Sequence, residues 1–332
     1  MVGLKKLLAS LVIAVVVAAG LGVWWLNRPL TLSEGTVELS VEAGATPRQI
    51  AQGWVDAGVQ TSTWLLYEWF RWSGKARNIR AGNYELSNGI TPRTLLDKLI
   101  AGDETLARVT FIEGWTFRQL REAMTKAPSL RSDTQAMSDS EVMAALGAVN
   151  QPAEGRFFPD TYTYARGSSD LAVLRRAHEA MTQRLAKAWQ QRAADSPLRT
   201  PDELLTLASI VEKETGRPED RALVAGVFVN RLRKGMPLQT DPSVIYGLGT
   251  RFDGNLRKRD LQRDGPYNTY LRAGLPPTPI ALPGRAALLA TVQPARTNAL
   301  YFVARGDGSS QFSESLAEHN RAVQQFQKRQ EP

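Results

Sequence analysis

From Leu7 to Leu26 the chain carries no charged side chain, and this apolar run follows a short basic leader, Met1 to Lys6. About 20 apolar residues in helix reach about 30 Å, the hydrocarbon thickness of a bilayer. The pattern predicts one transmembrane helix over 7–26, with Lys5 and Lys6 in the cytoplasm and Trp24 and Trp25 at the opposite interface. Everything after Asn27 then faces the periplasm, tethered to the inner membrane. The competing reading is a cleaved signal peptide with Ala18-Ala19-Gly20 near its cut site. The run is long for a signal sequence and continues past those residues, which favours an uncleaved anchor.

Past a linker at 27–35 the pattern alternates. Val37 to Val41 reads as a strand, Gly44-Ala45-Thr46-Pro47-Arg48 turns the chain, and a helix follows to about Ala57. Trp64 to Trp72 reads as an aromatic second helix and Tyr84 to Leu86 as another strand. Gly89-Ile90-Thr91-Pro92-Arg93 then leads to a helix ending at Ile100. Val109 to Ile112 again precedes a turn, Gly114-Trp115-Thr116-Phe117-Arg118, and one more helix. The turns share Gly-x-Thr-x-Arg: glycine leaves the strand, threonine caps the helix, and in two copies proline takes the first helical position. Trp64, Tyr67, Trp69, Phe70 and Trp72 are for the most part expected to pack a small domain.

The second half is dominated by helical periods separated by loops. Phe157 and Phe158 are expected in the core, Asp160 is expected to cap the helix from Ser168, and Ser169 to Arg192 forms a long amphipathic scaffold helix. Leu204 to Thr215 is a largely apolar helix opened by Pro201-Asp202-Glu203 and closed by Gly216 and Pro218. At about 100° per residue, Glu214 falls on the stripe of Leu207, Ile210 and Val211, whereas Glu212 follows Leu205, Ala208 and Ser209. A carboxylate on the greasier stripe loses hydration. Its pKa should rise from about 4.3 toward roughly 6 to 7, the range of a general acid. Spacing alone equally allows both glutamates to sit in solvent.

Arg221 to Lys234 reads as a second helix. Gln239 to Gly247, Pro266 to Tyr270 and Gly274 to Pro277 follow as loops crowded with amides, hydroxyls and aromatic rings, the side chains that grip sugars. Any one such loop is ordinarily a turn. A hairpin is expected from Leu300 to Ala304 and Ser310 to Phe312, and Ser315 to Gln327 closes as a helix carrying His319 and Asn320.

Ala208-Ser209-Ile210-Val211-Glu212-Lys213-Glu214-Thr215, Val229-Asn230-Arg231-Leu232, Leu238-Gln239-Thr240-Asp241-Pro242, Tyr267-Asn268-Thr269-Tyr270 and Gly274-Leu275-Pro276-Pro277 together resemble the YceG-like family, the membrane-anchored endolytic murein transglycosylases. The resemblance covers nearly all of the chain after the apolar run. It implies a mixed α+β fold, with a small LysM-like strand-helix-helix-strand domain over 36–108 that holds glycan and a larger helix-rich catalytic domain over 109–332. It also implies that Glu214, the second glutamate of Val-Glu-Lys-Glu-Thr, is catalytic. It would cleave the MurNAc-GlcNAc β-1,4 bond of peptidoglycan by letting the 6-hydroxyl of N-acetylmuramic acid attack its own anomeric carbon. Motif matching and chemistry add Gln239, Asp241, Tyr246, Asn268 and Tyr270 as residues that position sugar or stabilise positive charge at the anomeric carbon. His319 and Asn320 match the family's ending. A position beside peptidoglycan synthases, limiting nascent strand length, is a further implication.

Composition adds limits. The net charge of +8 is spread over dispersed arginines, which argues against a nucleic-acid partner and suits an acidic polymer or an anionic membrane. The absence of cysteine excludes thiolate chemistry, and the two histidines leave little for a metal site, so no metal is expected; the intramolecular attack that the resemblance implies needs no cofactor either. Two alternatives stay open: a hydrolytic muramidase pairing Glu214 with Glu212 or Asp241 to activate water, and a non-enzymatic, membrane-tethered glycan-binding scaffold.

Overall fold

A computed structural model describes residues 2–327, with side chains from Leu8 onward. Met1 and the side chains of Lys5 and Lys6, on which the basic leader rests, lie outside the described residues. Helix α1, Val2–Asn27, contains a 20-residue apolar stretch, Leu8–Asn27, long enough to cross a membrane. The fold is mixed α+β and divides into two compact units. One runs to Ala107 and takes in Thr163–Gly167; the other holds Arg108–Tyr162 and the chain from Ser168 onward.

In the first unit, β1 (Thr31–Leu32) pairs with β3 (Val59–Gln60), and β2 (Thr36–Val41) pairs antiparallel with β4 (Gly82–Ser87) in the register Val37↔Leu86 and Leu39↔Tyr84. Helices α2 (Pro47–Asp56) and α3 (Thr63–Trp72) lie between β2 and β4 in the chain, and α4 (Pro92–Ala101) follows. Their apolar faces meet over Trp54, Leu66, Phe70, Leu95 and Leu99. Trp69 donates its indole N–H to the Pro92 carbonyl at 3.0 Å, whereas Trp64 and Trp72 are 65 % and 77 % exposed, so the aromatic helix is core on one side only.

The recurring Gly-x-Thr-x-Arg turn has one structural meaning. Gly44, Gly89 and Gly114 each take a left-handed φ, between 78° and 99°, that a side chain would oppose. Thr46, Thr91 and Thr116 each close a capping box with the residue three positions on. The third copy is offset from the alternating pattern: β5 is Leu106–Thr110, ahead of the expected Val109 to Ile112. Phe111 instead turns inward, its N–H bonding the Asp160 carbonyl at 2.9 Å.

The second unit holds α5 (Phe117–Thr125), α6 (Asp139–Ala145), the first two residues of β6 (Thr161–Ala165), α7 (Asp170–Gln190), α8 (Pro201–Glu214) and α9 (Pro218–Arg233). Then come α10 (Asp241–Leu248), the single turn α11 (Lys258–Leu261), α12 (Arg285–Val292), the hairpin β7 (Tyr301–Ala304) and β8 (Ser310–Ser313), and α13 (Leu316–Phe326). Helix α8 is the axis of this unit: every residue from Leu204 to Val211 is buried, and α7, α9, α10 and α12 pack around it. Such a helix is hydrophobic nearly all round because it has no solvent face to keep wet.

Two expectations need correcting. Asp160 does not cap α7; its side chain accepts the Thr161 N–H at 2.8 Å, and Ser169 is the cap. The segment after Gln239 is not all loop, because Thr240-Asp241-Pro242 starts α10 with the proline at the helix entry.

Candidate active site

Glu214 is the last residue of α8, and Thr215 leaves the helix in extended backbone. The side chain is only partly open to solvent. Burial pushes its carboxyl up to about 7, and the neighbouring Asp241 charge pushes the same way. The Thr240 hydroxyl donates to Glu214 Oε1, favours the charged form and holds the rise back. A carboxyl poised near neutral pH can give a proton and take one within a single cycle.

Thr240 is itself held from below. Its N–H donates to Thr269 Oγ1 at 3.0 Å, its carbonyl accepts from Ser243 Oγ at 2.9 Å, and the Ser243 and Thr269 hydroxyls share a proton at 2.9 Å. All three residues are buried, so the donor facing Glu214 has little freedom. Just before it, Gln239 sits at φ 51°, a strained value for a side-chain-bearing residue. Buried Arg231 fastens this bend: it donates to the carbonyls of Leu300 at 2.7 Å, Pro237 at 3.0 Å and Leu238 at 3.1 Å, and to Gln239 Oε1 at 3.0 Å. The same guanidinium lies over the Tyr301 ring, 5.0 Å from its centroid.

Asp241 opens α10, and its Oδ1 accepts the Tyr270 hydroxyl at 2.5 Å. Burial and this carboxylate raise the Tyr270 pKa, with a smaller push from Glu214, so the phenol keeps its proton. Glu214, Thr240, Asp241 and Tyr270 therefore form one cluster, with Gln239 on the bend that supports it. The other two expected sugar contacts lie apart from it. Asn268 is buried, and all four of its hydrogen bonds are spent inside its own loop: it donates to the Leu261 and Arg263 carbonyls and accepts from the Tyr270 and Leu271 N–H groups. Its work is to shape the turn that presents Tyr270. Tyr246 is in the second half of α10, edge-on to Tyr267 at 4.9 Å and hydrogen-bonded to Glu154.

Glu212 corrects the helical-stripe argument. Its side chain is 7 % exposed, and burial raises its pKa as well. Because α8 is enclosed, the phase of the helix decides which neighbours an acid meets rather than whether it is buried. Glu212 meets the Gly284 N–H at 2.8 Å, at the start of α12, and Arg221 at 3.9 Å. His319 stacks on Tyr301 at 5.2 Å and packs behind the Arg231 bend. Among the described residues no group of three or more His, Cys, Asp or Glu could hold a metal ion.

Thr240, Arg231 and Glu154 are the residues that sequence reasoning left out of the site. Thr240 and Arg231 stood inside the motifs that carry the resemblance, without a role of their own. Glu154 meets Phe117 and Tyr246, both far away in the chain.

The YceG-like family model matches residues 39–325. A Bacillus subtilis protein named endolytic murein transglycosylase is 31 % identical over 318 residues, 89 % of this chain and 86 % of the relative. A Streptococcus pneumoniae protein of the same name is 27 % identical over 325 residues, 88 % of this chain but only 58 % of that longer relative. A crystal structure of a YceG-like protein from Listeria monocytogenes superposes with a TM-score of 0.56 at 28 % identity, covering 87 % of this chain and 99 % of that one. With the match running from β2 to α13, through the buried glutamate at the end of α8, the chain belongs to the YceG-like family.

Proposed function

We propose that this chain is an endolytic murein transglycosylase in which Glu214 is both acid and base. The observation that carries the reading is a carboxyl enclosed at a helix end, pushed up to about 7 by that burial and held by a fixed hydroxyl. Protonated Glu214 gives its proton to the glycosidic oxygen as the bond to the anomeric carbon of N-acetylmuramic acid breaks. The 6-hydroxyl of that same sugar then attacks the anomeric carbon, and its proton passes to the Glu214 carboxylate. A 1,6-anhydro ring forms, no water is consumed, and the acid is restored. Intramolecular attack needs no second carboxylate and no cofactor, because holding the ring in a reactive shape supplies much of the rate. In this reading Asp241 and Tyr270 steady positive charge at the anomeric carbon and Gln239 contacts sugar, which their grouping around Glu214 supports.

In the same reading, α1 is an uncleaved anchor in the inner membrane and the rest of the chain is periplasmic, next to peptidoglycan synthases whose nascent strands it shortens. Residues 36–108 act as a LysM-like glycan holder, supported by their strand-helix-helix-strand order, and 109–332 as the catalytic domain.

Digestion of purified murein glycan by the full chain in detergent tests the reaction by product mass. Anhydro-ended fragments with no added water are expected. Reducing-end fragments one water heavier would mean a muramidase using Asp241 as base, and intact glycan would leave a binding scaffold.

A further inference from the structure

Helix α10 has a second end that the mechanism does not use. Asp241 stands beside Glu214, and Tyr246, five residues on, lies about 7.5 Å further along the axis. There it borders a cavity of about 890 Å³ whose walls include Phe117, Glu154, Tyr246, Tyr267 and Thr278, with Thr250 exposed at the rim. The volume is of the size that takes a small ligand.

Glu154 is the unusual wall residue. It is 8 % exposed, accepts the Phe117 N–H at 2.9 Å and is also bonded by the Tyr246 hydroxyl and the Gly155 N–H, which leaves about one of a carboxylate's four acceptor positions. Burial pushes its carboxyl up to about 7. The loop that carries it is pressed onto the next wall: Gly155 has φ 77°, and a side chain there would reach Pro279 at 2.5 Å, beside Thr278. Thr278 and Tyr267 share a hydroxyl hydrogen bond of 2.7 Å. The cavity thus combines aromatic surfaces with one buried carboxyl and a row of hydroxyls. Flat rings accept the apolar face of a sugar or the methyl of an acetamido group, and a carboxylate accepts an amide N–H.

We propose that this cavity is a second sugar subsite, taking an N-acetylated hexosamine ring of the same strand that is cut at Glu214, with Glu154 accepting the acetamido N–H. A strand that fills this cavity while it is cut at Glu214 has its register fixed, so the subsite sets where within the strand the cut falls. The inference rests on the transglycosylase reading for what the strand is.

The test measures binding and cleavage separately, on the full chain in detergent, with peptide-free murein glycan as the probe. Thr250→Trp fills the mouth from an exposed position, and Glu154→Gln keeps an acceptor for the Phe117 N–H. In a Glu214→Gln background, each is expected to bind glycan about tenfold more weakly. In the active enzyme each should raise KM with little change in kcat and alter the fragment lengths. De-N-acetylated glycan should bind the parent about tenfold more weakly and be insensitive to Glu154→Gln. Unchanged binding and fragment lengths in both variants would overturn the subsite. Loss of kcat in Glu154→Gln at unchanged binding would do so too, and would make Glu154 a participant in the chemistry. A wild-type chain that leaves glycan intact would defeat the function instead, while the binding arm would still decide the subsite.

Discussion

Glu212 and Glu214 are two residues apart on one helix and burial raises the pKa of both, yet the fold holds them differently. Glu212 is tied to the fold by the Gly284 N–H, just before α12, and by Arg221. Glu214 has one hydroxyl donor and an open edge. Burial prepares a carboxyl for proton transfer only when its hydrogen-bonding capacity is not already spent on the protein. The comparison also separates two roles of sequence neighbours: the same helix supplies desolvation to both acids, and distant loops decide what each faces.

The largest effect that would break this comparison is on rate. Glu214→Gln should lower turnover of murein glycan by roughly 10²–10⁴-fold with folding intact. Glu212→Ala should instead cost about 1–3 kcal/mol in denaturant unfolding by stranding the Gly284 N–H and Arg221, with turnover of the folded fraction kept near wild type. If both substitutions removed activity equally, the two acids would not be distinct.

Next is the bend behind Thr240. Arg231→Met leaves four acceptors, one buried and three part-buried, without their donor and should destabilise by about 2–4 kcal/mol, read as a lower denaturant midpoint. Stability should also fall with pH. Glu214 and Glu154 bind a proton more tightly folded than unfolded, so their contribution is complete below about 4.5 and is lost as pH rises through about 7. The loss for each is on the order of 3 kcal/mol, and denaturant curves from pH 4.5 to 8 should flatten in the Glu214→Gln, Glu154→Gln double variant.

The smallest expected change is the most specific. The Thr240 hydroxyl lowers the Glu214 pKa, so Thr240→Val should raise it and move the alkaline fall of kcat/KM to higher pH. Turnover at the optimum should drop about tenfold. A profile that moved to lower pH would contradict the role assigned to Thr240.

Local rules were legible. The three threonine caps, the β7–β8 hairpin and the α8 helix follow from spacing and turn chemistry within a few residues of one another. What was not legible depends on partners far off in the chain. Asn268 reads as a sugar-binding amide until its four bonds to residues 261–271 are seen. Glu154 has no role in the chain's local pattern, and it is α10 that brings Tyr246 against it. The stripe on α8 singled out Glu214 for burial, but enclosure by four neighbouring helices buries Glu212 as well. A sequence period marks a helix face, and tertiary contacts decide whether the opposite face is also covered.

The central claim is that Glu214 titrates near neutral pH because of where α8 ends. Carbon-13 NMR of carboxyl-labelled glutamate in the full chain measures this directly, with the Glu214 signal assigned by its loss in Glu214→Gln. The account predicts a midpoint near 7, moving upward in Thr240→Val. A midpoint at the ordinary glutamate value of about 4.3, unmoved by that substitution, would contradict it.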